Sequence, residues 1–212
     1  MAIADHDQRN LWIANYGSRP AVAEHASVFS AQYLPLLPTA SSILELGCGR
    51  GADAEAFARA GHTVTATDFV PAVIEDNQKR LGHMPNLVFQ SMRIDRPYPY
   101  DADTFDAAYA HLTLHYFTHD ITQSVVTEIH RVLKPGGLLL FACKSPADPA
   151  HGKGREIEQD MFDFHGTIRH FFSEDYVRGL LTGIFQIVAI ESHRGKLYRQ
   201  RAGWITVAAR AT

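Results

Sequence analysis

The sequence predicts an α/β fold in which helices cover both faces of a parallel sheet. Five short apolar strands alternate with helical segments between residues 43 and 144, an alternation typical of such a sheet. Two further apolar strands follow near the C-terminus, separated by about ten polar residues. Because that gap is too short for a crossover helix, these two strands are predicted to form an antiparallel hairpin.

The composition is that of one globular domain spanning residues 1–212. Hydrophobic residues make up 46% of the chain and charged residues 20%, which excludes disordered and collagen-like classes. A net charge of −3 without a basic stripe disfavours nucleic acid as a partner. Two cysteines argue against a disulfide framework, and neither a signal-peptide pattern nor a stretch of about 18 apolar residues is present. We therefore expect a cytoplasmic protein with no membrane partner.

Residues 1–40 are predicted to be a helical lead-in to the sheet. Pro20 suits a first helical turn, and Pro35 and Pro38 end the helix. Apolar side chains recur at helical spacing, at Val22, Ala26, Phe29, Tyr33 and Leu34.

The remaining elements follow in chain order. Parallel strands are predicted at residues 43–46, 62–68, 87–91, 105–111 and 138–144. Helices are predicted at residues 53–60, 71–81 and 122–133, and a proline-rich surface loop at 93–104. Ser173 is predicted to cap a helix that ends at residue 181, and the hairpin strands are 185–192 and 203–211.

The segment 145–172 interrupts this regular alternation. It is polar and irregular, and it is too long for a plain connection between two elements. We therefore predict that it is a lid or a binding loop.

A glycine-rich turn, "ILELGCGRGADAEAF", joins the first strand to the first sheet helix. A strand, a glycine turn, a helix N-terminus and an acid ending the next strand form a nucleotide-binding arrangement, and Asp68 supplies that acid 19 residues after Gly49. The glycine spacing is not that of the dinucleotide fingerprint. A carboxylate at Glu45 would repel a pyrophosphate but suits a positively charged ligand. S-adenosylmethionine, which carries a sulfonium and no phosphate, fits both observations.

Four successive segments resemble the signature segments of class I S-adenosylmethionine-dependent methyltransferases. They are "LELGCGRG", "TATD", "FDAAYAHLTLHYF" and "IHRVLKPGGLLLF", and the resemblance extends roughly over residues 33–209. The tail is most similar to small bacterial members of the tellurite-resistance type and the small-molecule group around them. The resemblance implies a Rossmann-like, seven-stranded, mostly parallel sheet whose last strand is antiparallel. It also implies S-adenosylmethionine as the cofactor, S-adenosylhomocysteine as its product, and a small-molecule acceptor.

The resemblance also implies which residues bind the cofactor. The turn would line its methionine part, Asp68 would bind both ribose hydroxyls, and Phe69 would lie beside the adenine. The acid that usually binds the adenine amino group is absent unless Asp95 supplies it, so backbone groups near Met92 and Arg93 are expected to bind there. The full predicted set is Glu45, Gly47, Cys48, Gly49, Asp68, Phe69, Met92, Arg93 and His111.

Methyl transfer is an in-line displacement, so the protein mainly aligns the acceptor and excludes water. A hydroxyl or protonated amine acceptor also needs a base, whereas soft anions such as thiolates or chalcogen oxyanions need none. His115 is the first candidate base because of its near-neutral intrinsic pKa, and the alternative is that it packs against the loop or orients the cofactor. His111, Tyr116 and Tyr16 are the other candidates.

The resemblance implies that the loop 145–172 lies on the side where the acceptor enters, so its segment "HGTIRHFF" is predicted to contribute to acceptor binding. Arg169 could bind an anionic acceptor, with Phe171 or Phe172 either as an apolar wall or as an anchor for the loop. The predicted acceptor-binding residues are Tyr16, Tyr116, Arg169 and His170.

Parts of the sequence also fit two other functions and a metal site. A nicotinamide-dependent oxidoreductase shares the first half of the pattern, and a non-catalytic cofactor-binding or partner-activating module would lack an acceptor pocket. His111, His115 and His119 recur every fourth residue, but the first belongs to a predicted strand, where this spacing brings no convergence. We therefore predict catalysis without a metal. The protein is expected to be a monomer or a homodimer.

Overall fold

The computed structural model describes residues 5–17 and 26–212 and contains a seven-stranded sheet flanked by helices. The strands are β1 (Ser42–Leu46), β2 (Thr63–Asp68), β3 (Leu87–Ser91), β4 (Phe105–His111), β5 (Leu133–Lys144), β6 (Arg155–Glu158), β7 (Met161–Phe164), β8 (Thr167–His170), β9 (Phe185–Leu197) and β10 (Gln200–Ala211). The helices are α1 (Asp5–Gly17), α2 (Val28–Tyr33), α3 (Ala52–Arg59), α4 (Pro71–Leu81), α5 (His119–Val132) and α6 (Glu174–Leu181).

The main sheet has the strand order β3-β2-β1-β4-β5-β10-β9. Its first five strands are parallel, and β10 runs antiparallel to both β5 and β9. Strands β1 and β4 and the second half of β5 are almost continuously buried, because helices cover the sheet on both faces. The predicted Rossmann-like, mostly parallel sheet with an antiparallel C-terminal hairpin is confirmed.

The hydrophobic core consists of one apolar layer on each face of the sheet. Phe29 and Phe57 belong to the layer under α2 and α3. Ile129 of α5 and Val177 of α6 belong to the opposite layer. Ser173 caps α6 as predicted, because its side-chain oxygen accepts a hydrogen bond from the backbone N–H of Tyr176 at 3.1 Å.

The prediction that residues 145–172 form an irregular loop is wrong. Strands β6, β7 and β8 form a separate three-stranded antiparallel sheet in this segment. His165 and Gly166 both have positive φ, at 54° and 81°, which is the backbone of a two-residue hairpin turn. The strands have only four residues each, so their apolar alternation is too short to stand out in the sequence.

Several boundaries differ from the predictions, among them that of β5, which begins at Leu133 rather than at residue 138. Ala26 precedes α2 rather than lying within a helix, and Pro20 and Val22 lie outside the described residues. Helix α5 begins at His119, three residues earlier than predicted. The polar stretch between the last two strands is itself strand, reversed at Tyr198 and Arg199, whose φ values are 50° and 66°.

None of the helices within residues 5–17 and 26–212 is long and apolar enough to span a membrane.

Candidate functional site

The glycine turn between β1 and α3 is closely covered by two other parts of the chain. Gly49 has a φ of 49°, and a Cβ atom added there would lie 2.8 Å from the hydroxyl of Tyr16 in α1. A Cβ at Gly47 would lie 2.6 Å from the side chain of Thr113, in the loop after β4. The turn therefore needs glycine for its left-handed backbone and for the close approach of these side chains.

Asp68 lies at the end of β2, directly beside the glycine turn. Its carboxylate accepts hydrogen bonds from the backbone N–H of Gly49 at 3.1 Å and of Val70 at 3.0 Å. Burial raises the pKa of this carboxyl group. Asn77 of α4, which the sequence analysis did not identify, donates a 2.7 Å hydrogen bond to the Gly49 carbonyl. The turn and the acid are therefore held as one unit.

Glu45 places a carboxyl group in the interior next to this unit. Only 3% of the residue is exposed, and among the described residues Oε2 has no hydrogen-bond partner. Burial, reinforced by the negative charges of Asp53 and Asp68, raises its pKa well above the usual range. An unpartnered buried acid beside two others favours a cationic ligand, so the residues present fit S-adenosylmethionine.

The residues predicted to surround the adenine lie at the ends of neighbouring strands β2 and β3. The backbone N–H of Met92 donates a 2.9 Å hydrogen bond to the carbonyl of Asp68. The guanidinium of Arg9 in α1 lies 5.8 Å from the ring centroid of Phe69. Asp95 forms an ion pair with Arg93, and although burial opposes it, this pair lowers the pKa of Asp95. Asp95 is therefore already engaged with Arg93.

His111, at the end of β4, forms a pair with an acid that the sequence analysis did not identify. Its Nδ1 lies 3.3 Å from Oδ2 of Asp53, in the first turn of α3. Asp53 also accepts hydrogen bonds from Ser27 and from the hydroxyl of Tyr109. Burial alone would raise the pKa of Asp53, but the bond to His111 and its charge lower it to about 2.

His115 lies in a short 3₁₀ turn after β4 and is completely buried. Neither ring nitrogen has a hydrogen-bond partner among the described residues. Burial, followed by the positive charges of Arg169 and Lys144, lowers its pKa well below the usual range. His115 is therefore neutral at physiological pH, with two uncommitted nitrogens beside the ring of Tyr116.

A cavity of about 300 Å³ opens between α1, the loop after β4 and the small sheet. It is lined by Leu11, Trp12, Tyr116, His165, Thr167 and Arg169. Two of the predicted acceptor-binding residues, Tyr116 and Arg169, therefore meet here. Tyr16 instead contacts the glycine turn, and His170 packs against Phe172 and Tyr176.

The three histidines at four-residue spacing do not converge. His111 faces Asp53, His115 is buried, and Nδ1 of His119 lies 3.3 Å from the hydroxyl of Tyr176. Over the ranges that the structure describes, no three His, Cys, Asp or Glu side chains are grouped to hold a metal ion. Catalysis without a metal stays a prediction.

Comparisons with known proteins bear on this site. The family model described as a methyltransferase domain matches residues 43–137. The mouse protein named EEF1A lysine methyltransferase 4 is 30% identical over 179 residues, which cover 77% of this chain and 67% of the mouse protein. The chain belongs to the S-adenosylmethionine-dependent methyltransferases. S-adenosylmethionine is its cofactor, and the nicotinamide alternative is set aside.

Solved methyltransferase structures share the fold over most of the chain. A Methanosarcina mazei S-adenosylmethionine-dependent methyltransferase superposes with a TM-score of 0.73 at 20% identity, covering 89% of this chain and 99% of its own. The Burkholderia thailandensis 1,6-didemethyltoxoflavin-N1-methyltransferase, solved with its substrate and S-adenosylhomocysteine, gives 0.69 at 26% identity, with coverages of 98% and 83%. Among the relatives by sequence, a Synechocystis methyltransferase is 31% identical over 134 residues, which cover 60% of each chain.

Proposed function

We propose that the protein transfers a methyl group from S-adenosylmethionine to a small anionic acceptor bound in the cavity beside Arg169. The observation that carries this proposal is a partly buried guanidinium whose Nε lacks a hydrogen-bond partner among the described residues. Trp12 and Tyr116 line the same cavity. A planar acceptor can pack against aromatic walls while its negative oxygen accepts hydrogen bonds from the guanidinium.

The covering of the cavity supports a small acceptor. Gln8 of α1 joins the two sides, since its side chain donates to the carbonyl of Tyr116 at 2.8 Å and accepts from the backbone N–H of Ile168 at 2.9 Å. The cavity volume of about 300 Å³ is at the lower end of the range for small-molecule sites.

Several residues of the chain would each have a separate role in binding the cofactor. When bound, S-adenosylmethionine supplies an activated methyl carbon and its leaving group. Glu45 would attract the cationic part, Asp68 would bind the ribose hydroxyls, and the glycine turn would accept the methionine part. Helix α1 would exclude water by covering the turn with Tyr16 and the cavity with Trp12.

The relatives support two acceptor classes. The Burkholderia enzyme is named for the small molecule 1,6-didemethyltoxoflavin, and the mouse protein is named for a lysine of EEF1A. The small volume of the cavity, about 300 Å³, favours the first class. The methylated atom, the tellurite-resistance-type subgroup, a monomer or homodimer and a cytoplasmic location all stay predictions.

The proposal is tested with methyl-labelled S-adenosylmethionine and a panel of acceptors. The panel contains phenolic carboxylates, heteroaromatic lactams, thiols, tellurite, selenite and a lysine-containing peptide. Arg169→Gln should raise the KM of the best small acceptor by about 10-fold to 100-fold, because a hydrogen bond to a charged group contributes about 1.5–3 kcal/mol. Cofactor affinity, measured by calorimetry, should be nearly unchanged.

The matched control is Arg155→Gln. Arg155 belongs to the same small sheet, but its side chain is 65% exposed and its ion-pair partner, Asp163, lies 3.7 Å away. Its replacement should leave KM unaltered. An equal KM for the Arg169 variant and the wild type would contradict an anionic acceptor at Arg169.

A further inference from the structure

Arg9 of α1 brings a guanidinium group to the carboxyl end of β2. Its Cζ atom lies 5.8 Å from the ring centroid of Phe69, the residue that directly follows Asp68. In a nucleotide-binding sheet the ligand lies outside the carboxyl ends of the strands, and the acid that ends the second strand binds the ribose. Because the adenine is bonded to the ribose, we expect it next to Asp68, in the region where Phe69 and Arg9 meet.

The strand order supports this position for the adenine. Strand β2 lies between β1 and β3. The glycine turn follows β1 and is assigned to the methionine part of the cofactor. The adenine, at the opposite end of the cofactor, therefore belongs at the carboxyl ends of β2 and β3.

Two groups at these strand ends are already engaged within the protein. Asp95, beyond the end of β3, accepts a 2.9 Å hydrogen bond from Nε of Arg93 at one oxygen and pairs with the same guanidinium at the other. The backbone N–H of Met92 donates to the carbonyl of Asp68 at 2.9 Å. The acid and the backbone donor that the sequence placed near the adenine thus both have partners in the free protein.

Nε of Arg9, by contrast, is buried and has no hydrogen-bond partner among the described residues. A buried donor without a partner lowers the stability of the free protein. Its presence is explained if a ligand supplies the missing acceptor. Adenine has such acceptors at the unprotonated nitrogens of its rings.

The position of α1 does not depend on contacts made by Arg9. The neighbouring residue, Gln8, donates to the carbonyl of Tyr116 at 2.8 Å and accepts from the backbone N–H of Ile168 at 2.9 Å. These two hydrogen bonds attach α1 to the loop after β4 and to the small sheet. A substitution of Arg9 should therefore leave the helix in place.

We propose that Arg9 recognises the adenine of the cofactor, with its Nε–H donating to an unprotonated ring nitrogen of the base. A planar guanidinium suits this role, because it can donate a hydrogen bond in its own plane while its face lies against an aromatic ring. The inference rests on the proposed binding of the ribose by Asp68. It does not depend on the identity of the methyl acceptor.

Calorimetry with S-adenosylhomocysteine on the full chain gives the first test. Arg9→Met should raise the Kd by about 10-fold to 100-fold. Its free energy of unfolding without ligand should not fall, since the variant no longer buries an unpaired donor; a merely structural role would make it fall. Arg59→Met is the control, because the Arg59 side chain is 65% exposed and pairs with Glu55, and it should leave the Kd unaltered.

Arg9→Lys is the second variant, and it keeps the charge but lacks the Nε–H donor. It should lose about as much affinity as Arg9→Met, and it serves as the test if Arg9→Met does not fold. A wild-type Kd in a folded variant of either kind would overturn the proposal.

Analogues of the ligand identify the atom that accepts from Arg9. The 1-deaza, 3-deaza and 7-deaza forms of S-adenosylhomocysteine each replace one ring nitrogen by a C–H group. One of them should bind the wild type and Arg9→Met equally weakly, while the other two should keep the dependence on Arg9. If Arg9→Met weakens the binding of all three by the same factor, Arg9 does not donate to a ring nitrogen and the proposal is wrong.

A ligand without the amino-acid part separates the adenine from the methionine carboxylate. Arg9→Met should weaken the binding of 5′-methylthioadenosine by the same factor as that of S-adenosylhomocysteine. If 5′-methylthioadenosine binds both proteins equally, Arg9 contacts the carboxylate instead, and the proposal is overturned. A wild type that binds neither compound would contradict the cofactor site at Asp68 itself, and this inference with it.

Discussion

Glu45 illustrates how one side chain separates possible ligands. Its position before the glycine turn indicates a cationic ligand, since a carboxylate there would repel a pyrophosphate. The structure buries this carboxyl group completely and leaves Oε2 without a partner among the described residues. The free protein therefore contains a site that a positive charge would stabilise.

Glu45→Gln should make the free protein more stable at neutral pH while weakening its binding of S-adenosylmethionine. Burial raises the pKa of Glu45 well above 4.5, so the unfolded chain releases this proton first. The wild-type free energy of unfolding must then fall as pH rises above 4.5. Glu45→Gln does not lose stability in this way. Its free energy of unfolding at pH 7 should therefore exceed that of the wild type by on the order of 1–3 kcal/mol.

Chemical denaturation of both proteins at pH 5 and pH 8, without cofactor, measures the gain. The gain in free energy of unfolding should be larger at pH 8 than at pH 5. Calorimetry should show that the variant binds S-adenosylmethionine at least about 10-fold more weakly. A variant that binds the cofactor as tightly as the wild type would show that Glu45 does not face it.

His115 and His111 show why a histidine's role needs its surroundings. Sequence position alone favours His115, because it lies in the loop that flanks the methyl site in related enzymes. The structure leaves it neutral and without an acid partner among the described residues, whereas His111 faces Asp53. Only His111 therefore has an acid partner among the described residues, and the catalytic role of either histidine stays a prediction.

At the scale of elements, the glycine turn combines a backbone requirement with a steric one. Both are present at Gly49, where φ is 49° and an added Cβ would lie 2.8 Å from the Tyr16 hydroxyl. Gly61 has only the backbone requirement, since its φ is 92° and no described atom lies within 4 Å of an added Cβ. The two positions therefore form a matched pair.

Gly49→Ala and Gly61→Ala should each lower the free energy of unfolding by about 1–2 kcal/mol, the cost of a left-handed alanine. Only Gly49→Ala should also weaken S-adenosylhomocysteine binding, by about 10-fold or more, because its methyl group displaces Tyr16 and crowds the turn. Denaturation and calorimetry on both variants give the comparison. Equal Kd values for the two would mean that the turn serves the fold alone.

The main strands could be predicted because burial on both faces produces unmixed apolar runs such as "LLLFACK". The small sheet could not, since four-residue strands carry too few positions to show a period. Motif residues such as Asp68 can be found from local spacing. Asp53 cannot be found in this way, because its partners, Ser27 and Tyr109, are 26 and 56 residues away in sequence. Only the folded structure shows that these residues are in contact.

At the scale of the whole molecule, buried histidines make stability depend on pH. Burial lowers the pKa of His170 from 6.5 to about 4, so the unfolded chain binds this proton first. The free energy of unfolding must therefore fall as pH is lowered from about 6.5 towards 4. His170 packs against Phe172 and Tyr176 and belongs to β8 of the small sheet.

His170→Asn should reduce this loss by roughly 1–3 kcal/mol between pH 7 and pH 4.5. Urea denaturation at several pH values measures the slope, and His83→Asn, at an exposed histidine, is the control. A variant whose slope equals that of the wild type would show that His170 does not remain neutral in the folded protein.

Methyl transfer to a small anionic molecule rather than to a protein is tested by following the label. The full chain is incubated with methyl-labelled S-adenosylmethionine, the phenolic carboxylates and lactams of the panel, and a folded lysine-rich protein in the same tube. After ultrafiltration, we predict labelled product in the small-molecule fraction with the wild type and Arg155→Gln, and at least about 10-fold less at low acceptor concentration with Arg169→Gln. Label on lysine side chains in the retained protein, unaffected by the Arg169 substitution, would contradict the account.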